Sequence, residues 1–383
     1  MKKTLIALAA LAAVGTASAQ STVTLSGILK GGVAQTKFTG GAAAAVNGSG
    51  MAVSDGSSRF ILSGSEDLGG GLRANFQIDN RFRLDDNGGA PSSNPVGTGN
   101  SFIGLSGNFG NVQLGKLDTH YCQGADSNGS RATSLQASSC TLLGYMMVGG
   151  ASTAIAQQTR TTNALRYTTP TMSGFNAVVT YSTAQGATAN PGGAEGAVGD
   201  AGKGRAVAAA LNYAAGPVRA GLSMWNSTQE NRVAGAALAG TYGGDQSAYS
   251  LMGDYNFGMG TVGLSYDRST VTAGVIGGAT TDTKRTAWSL PVTFQLGAGT
   301  LLATYTSSGN VTGVADSGAK MWSVGYDYPL SKRTTVGVSY VRLNNNTNAL
   351  YNLYVQNALV GAAYVQTLGQ DASQFYVGVR HTF

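Results

Sequence analysis

An all-β fold is predicted, a sixteen-stranded antiparallel β-barrel that crosses a membrane with strands. Three observations predict it. Short segments along the whole chain alternate between an apolar and a polar face, turns rich in Gly, Asn and Pro recur between them, and no stretch beyond the first residues is apolar over the about 20 residues a spanning helix needs. The composition agrees: of 383 residues 57 are Gly, only 11% are charged and two are His, an odd make-up for a soluble enzyme.

The first element is an address. Lys2 and Lys3 precede an apolar run, 5–14, and the small-residue site Ala17-Ser18-Ala19, the pattern of a secretory signal peptide. The expected organisation is therefore a signal peptide, 1–19, and one barrel domain, 20–383. Removing Lys2 and Lys3 takes the formal charge from +6 to +4. A mild positive balance in an exported chain points away from nucleic acid.

The strands follow. In Val23-Thr24-Leu25-Ser26-Gly27, Phe60-Ile61-Leu62-Ser63-Gly64 and Leu72-Arg73-Ala74-Asn75-Phe76-Gln77-Ile78-Asp79, one face is apolar or small and the other mostly polar. The same holds in 175–181 and 262–267. Successive side chains of a strand point to opposite faces, so this is strand periodicity.

Tight connections fall at 66–71, 108–110, 169–174, 214–217, 256–260, 295–299 and 328–333, where they join strands as hairpins. Longer polar stretches fall between them, at 30–58, 83–100, 118–162, 182–204, 226–246, 268–285, 306–319 and 343–373. Seven short turns interleaved with eight long loops require sixteen strands, an even number in the range of bacterial outer-membrane barrels. A β-sandwich core uses about seven to nine strands over roughly 100 residues. The number of segments here exceeds that, and a lipid-facing exterior around a wet interior explains why one face is apolar and the other Ser-, Thr-, Asn- and Gly-rich.

The chain ends on an alternating strand, with Phe375, Val377, Val379, His381 and Phe383 on one face. A terminal Phe closing such a strand resembles the C-terminal strand recognised by outer-membrane assembly machinery.

Chemistry other than passage is hard to build. His120 and His381 are the only histidines, and hydrolysis needs a base within reach of a nucleophile. No phosphate-cradle motif is present, since Gly69-Gly70-Gly71 belongs to a turn. No enzyme activity, cofactor or metal is expected. Cys122 and Cys140 are the only cysteines, too few for a disulfide-rich scaffold. They lie in one loop of an exported chain, so a single bridge between them is expected, the alternative being two unpaired thiols.

Several blocks resemble the trimeric general porins of beta-proteobacteria and the related neisserial porins. They are Ser58-Arg59-Phe60 with Gly64-Ser65-Glu66-Asp67-Leu68-Gly69, Phe102 to Gly110 (FIGLSGNFG), Leu165-Arg166-Tyr167, Tyr326 to Thr334 (YDYPLSKRT) and Gly378-Val379-Arg380-His381-Thr382-Phe383. The resemblance implies an outer-membrane homotrimer with lipid around it, and a long third external loop folded inward to constrict a water-filled channel. On this chain that loop is 118–162, the longest structureless interval, and loops of such length usually have a function. Its apolar stretch Leu142-Leu143-Gly144-Tyr145-Met146-Met147 is read either as packing the loop against the inner wall or as a short strand or interface segment outside the pore.

Alternation puts Arg59, Arg73, Arg81 and Arg83 on the polar, pore-lining face of neighbouring strands, with Asn75, Gln77 and Asp79 between them, and Arg166 on a later one. Arginine stays charged and its planar fork meets carboxylates and phosphates in pairs. Rings of one sign set ion preference in pores. Some of these arginines are alternatively expected to pair with Asp79, Asp118 or Asp126 and hold the loop.

Strict alternation with Val112 and Leu114 turns Lys116 toward lipid, at a cost of roughly 2–4 kcal/mol at the midplane. A bulge at Gly115 re-aims it inward, or it lies at the rim. The resemblance implies a basic residue here that reaches the constriction. Asp118 and Asp126 are the only acids in 118–162, where many relatives carry several. A diffusion channel for small hydrophilic solutes that prefers anions is expected, with two alternatives: a substrate-selective channel for phosphate or organic anions, and an adhesive or structural barrel.

Overall fold

A computed structural model describes residues 21–42, 47–55, 58–82, 84, 96–119, 132–133, 138–148, 151–155, 160–183, 204–229, 245–274, 279–353 and 367–383. The segment expected as a signal peptide, Arg83, Cys122, His120 and Asp126 lie outside them.

The first strands are β1 (Thr22–Gly40), β2 (Gly48–Asp55), β3 (Ser58–Gly69), β4 (Leu72–Phe82), β5 (Ser101–Gly107) and β6 (Gly110–Asp118). After β6 come a single helical turn, Cys140–Leu143, and a short hairpin, β7 (Tyr145–Val148) and β8 (Ala151–Ala154). The wall resumes with β9 (Arg160–Thr168), β10 (Phe175–Ser182), β11 (Gly204–Ala215), β12 (Val218–Gln229) and β13 (Asp245–Asn256). It ends with β14 (Gly260–Gly274), β15 (Thr280–Leu296), β16 (Gly299–Ser308), β17 (Ala319–Pro329), β18 (Thr334–Asn345) and β19 (Gln370–Thr382).

Seventeen of these segments form one sheet, which closes because β1 pairs with β19 from Ile28↔Thr382 to Gly40↔Gln370. β2 and β3 are consecutive pieces of one line, as both pair with β1. The wall is therefore a sixteen-stranded antiparallel barrel. Closure matters physically because an open edge would present unpaired N–H and C=O groups to hydrocarbon.

All seven expected turns fall between consecutive strands. Several expected loops are shorter than their polar composition suggests. The interval 30–58 shrinks to 41–47, because β1 runs on to Gly40 and β2 starts at Gly48; 268–285 shrinks to 275–279 and 343–373 to 346–369. Polar residues beyond the hydrocarbon zone still complete backbone pairs on both sides, so the ladder continues into water.

The outward face carries Leu25, Val33, Ile103, Leu114, Leu165, Tyr249, Leu251, Tyr266, Trp288 and Trp322, all exposed. Rings pack across neighbouring strands there, with Trp288 and Tyr305 centroids 5.3 Å apart and Trp322 and Tyr340 5.4 Å apart. The buried apolar core lies on the other side of the wall. Leu142, Leu143, Met146, Met147 and Ile155 pack against Trp225, Val271, Ala287, Met321, Val341 and Leu343, with Tyr351 and Leu353 from the segment after β18. Burying those first five side chains is worth about 10 kcal/mol at roughly 2 kcal/mol each. The wall is uneven: β5 has 7 residues and β10 has 8, whereas β14 has 15 and β15 has 17.

Candidate functional site

Two regions of the inner wall differ in kind. On β14 to β18 the inward positions are covered by the segment that follows β6. Ser139 Oγ lies 2.8 Å from Ser289 Oγ on β15. Ala132 N–H donates to Asp327 on β17 at 2.9 Å, and Ser339 Oγ on β18 donates to Thr133 O at 3.2 Å. The apolar stretch from Leu142 to Met147 belongs to the core described above.

On β3 to β6 and β9 the inward face is charged and only partly covered. Arg59 and Arg81 sit opposite each other in the β3–β4 register. Asp79 lies between them, 3.9 Å from Arg59 and 3.3 Å from Arg81, and its side chain is 3% exposed against 26% and 23% for the arginines. The carboxylate thus sits below two guanidinium groups that still meet solvent. Arg81 N–H also donates to Thr98 Oγ1 at 2.6 Å, which ties this strand to the segment before β5.

A second group adjoins the first. Asp118 accepts from Arg160 at 3.2 Å and from Asn100 Nδ2 at 2.6 Å. Arg166 donates to the Asp118 backbone oxygen and, through Nε, to Thr180 Oγ1 at 3.1 Å. Arg59 lies within electrostatic reach of Arg81, Asp79, Asp118 and Arg160. The two groups therefore share one field.

The wall is bulged where Lys116 stands. Gly115 has φ +148°, Asn163 has φ +48°, and the β6–β9 register shifts between Gly115 and Leu117. Lys116 lines a recess with Leu114, Leu165 and Tyr181, and its charge lies within reach of Arg160, Arg81, Asp118 and Asp79.

Of the residues singled out from sequence, the structure brings Arg59, Arg81, Asp118 and Arg166 together, whereas Lys116 keeps the parity of Leu114 and lines its recess with Leu114 and Leu165 of the outward face. The structure does not bring Arg73 to that group. Arg73 pairs in register with Asp67 near the 70–71 turn and donates to Ser65 Oγ at 3.1 Å, eight residues along β4 from Arg81. That is roughly 27 Å of strand. Sequence reasoning missed Arg160, which lies inside the expected loop interval 118–162. Its signal was weak: it pairs with Asp118 in register only because β6 and β9 extend past the bulge. Missed too was the Asp267–Arg285 pair, whose side chains are 1% and 0% exposed.

Among known proteins, outer membrane porin protein 32 of Delftia acidovorans is 32% identical over 390 aligned positions, covering 100% of both chains. The major outer membrane protein P.IB of Neisseria meningitidis serogroup B is 39% identical over 121 residues, 31% of this chain and 34% of that protein. Among solved structures, an anion-selective porin from Comamonas acidovorans superposes with a TM-score of 0.70 at 26% identity, covering 95% of this chain and 100% of the other. The sequence pattern of the Gram-negative porin family matches residues 5–348. The chain belongs to the Gram-negative porins, and it forms a diffusion channel in the outer membrane.

Proposed function

We propose that this channel prefers anions, and that the preference arises where the internal segment leaves open the wall carrying Arg59, Arg81, Arg160 and Arg166. One observation carries the reading: among the described residues of this cluster four arginines face two carboxylates, Asp79 and Asp118. Like charges in a narrow space between low-dielectric walls concentrate counter-ions. The likeness to an anion-selective porin from Comamonas acidovorans supports the reading. Arg83, on the same face as Arg81 by alternation, and Lys116 add to the field; Arg73 acts at the far mouth. In this reading the interval 118–162, most of which lies between β6 and β9, is the constricting third loop.

The test is the reversal potential across a salt gradient for the native protein and an Arg59→Ser, Arg81→Ser double variant. One unit charge about 10 Å from a permeating ion in a water-like medium shifts its energy by about 0.4 kcal/mol, roughly twofold in permeability. Each charge acts oppositely on anion and cation, so the double variant is expected to lose roughly sixteenfold in anion-to-cation ratio on that scale. The Debye length is about 10 Å at 0.1 M salt and about 3 Å at 1 M, so the native preference fades as salt rises. A native pore that favours cations, or a variant with full anion preference, overturns the proposal.

Three further properties belong to this reading. The first is export through removal of 1–19, leaving the barrel domain 20–383. The second is a homotrimer within outer-membrane lipid, joined through β1 to β6. No Tyr or Trp occurs before residue 121, so that part of the outer wall lacks the rings favoured at a lipid–water interface. Mass analysis in mild detergent tests it, and a conducting monomer excludes it. The third is a bridge within the internal segment. Cys140 is disulfide-bonded, and Cys122 is the only other cysteine. Closing such a loop is worth roughly 3 kcal/mol. Thiol labelling of the unreduced, denatured chain is expected to find no free thiol.

A further inference from the structure

The inner wall of β14 and β15 holds a buried ion pair that the selectivity cluster does not use. Arg285 is among the largest fully buried side chains of the described residues. Its guanidinium donates to Leu142 O, to Leu143 O at 3.1 Å and to Ser269 Oγ at 3.2 Å, and it pairs with Asp267. Asp267 also accepts from Ser269 Oγ at 2.9 Å.

The geometry points to Arg285 as a positioning residue for permeation: it pins the helical turn Cys140–Leu143 to the wall, and so sets how far the internal segment stands from the basic cluster. This rests on the proposal that the segment narrows the pore. A one-turn helix leaves its last carbonyls without partners inside the helix, and buried carbonyls must find them elsewhere. Leu142 and Leu143 find theirs in one guanidinium, whose rigid fork reaches two carbonyls and a carboxylate together. Asp267 offsets the charge that would otherwise be buried alone. The apolar contacts of Leu142, Leu143, Met146 and Met147 are non-directional and permit sliding. The hydrogen bonds of Arg285, with Ser139 against Ser289 beside them, specify one position.

Arg285→Lys tests this because it keeps the charge and removes the fork. Two readouts separate positioning from a merely structural role: the distribution of single-channel conductance, and the reactivity of a Thr306→Cys thiol toward a small water-soluble reagent. Thr306 is fully buried behind Ser289, which faces the segment, with Thr306 Oγ1 2.9 Å from Ser289 Oγ. The expected result is a folded barrel whose conductance scatters over several levels. Labelling of Thr306→Cys rises by roughly tenfold or more, the effect on an opening equilibrium of losing one hydrogen bond to a charged group.

If Arg285→Lys does not fold, Arg285→Met with Asp267→Leu removes both charges at once and is expected to give the same two changes, since apolar replacement of a buried pair is often tolerated. A single native conductance level with a protected Thr306→Cys thiol overturns the proposal. A reactive thiol with native conductance overturns the link to permeation through the narrowed-pore reading itself, because the segment would then move without consequence for the pore.

Discussion

Asp79 shows how one residue balances the charged wall. Its carboxylate lies beneath Arg59 and Arg81 and is nearly sealed from solvent, while both arginines reach the water. Part of the positive field is therefore cancelled by Asp79, and the remainder faces the lumen. Asp79→Asn keeps the shape and removes the negative charge, so the anion-to-cation permeability ratio is expected to rise by roughly fourfold, about twofold for each ion in opposite directions, on the scale of one unit charge at about 10 Å in a water-like medium. Reversal potentials measure it, and an unchanged ratio would mean that Asp79 is electrically silent in the pore. The arginine pair was legible in the sequence because β3 and β4 alternate without interruption up to Arg59 and Arg81. Arg160 was not legible: it lies 42 residues from Asp118, beyond a bulge that breaks the parity count. Arg285 was not legible either, because it ends the polar interval 268–285, whose composition suggests a loop although β14 and β15 continue through most of it.

At the scale of elements, the internal segment is seated in the wall as well as laid against it. Gly325 on β17 and Gly337 on β18 leave a socket for Ala132 and Thr133: a Cβ on Gly325 would stand 3.0 Å from Thr133 Oγ1, and one on Gly337 would collide with Thr133 and with Asp327. The same socket supplies Asp327 and Ser339 as hydrogen-bond partners to the 132–133 backbone. Valine suits a strand, so Gly337→Val is expected to leave the barrel closed while its bulk pushes the segment off the wall and toward the charged side. Overpacking of this kind costs roughly 1–3 kcal/mol, and mean single-channel conductance is expected to fall. Native conductance would show that the socket does not govern the segment's position. Sequence reasoning expected a slip of pairing at Gly115, and the register does shift between Gly115 and Leu117, but the extra residue lies on β9, where Ala164 to Thr161 spans three steps against two on β6, so the bulge does not re-aim Lys116.

The whole molecule closes at the meeting of its first and last strands. The count of sixteen was legible because short turns carry a distinct chemistry, whereas the apolar core inside the lumen was hidden: Met321 and Trp322 are adjacent and both apolar, one turned inward and the other outward, so alternation cannot announce which face is covered. At the seam, Gly27 N–H donates to Phe383 O at 3.1 Å and Phe383 N–H donates to Gly27 O at 3.2 Å. Gly27 has no side chain because a Cβ there would meet the Phe383 ring. Phe383 thus completes the β1–β19 ladder, and an aromatic ring closing an alternating strand is expected also to be read during assembly. The two roles separate by comparing deletion of Phe383 with Gly27→Ala, which crowds the same seam and keeps the terminal ring. Refolded into detergent, both variants are expected to form barrels that unfold more readily, the deletion by roughly 1–3 kcal/mol for two lost backbone hydrogen bonds. In cells, the deletion alone is expected to lose outer-membrane insertion by more than its stability explains. If Gly27→Ala with an equal stability loss inserts just as poorly, Phe383 acts through the seam and not as a signal.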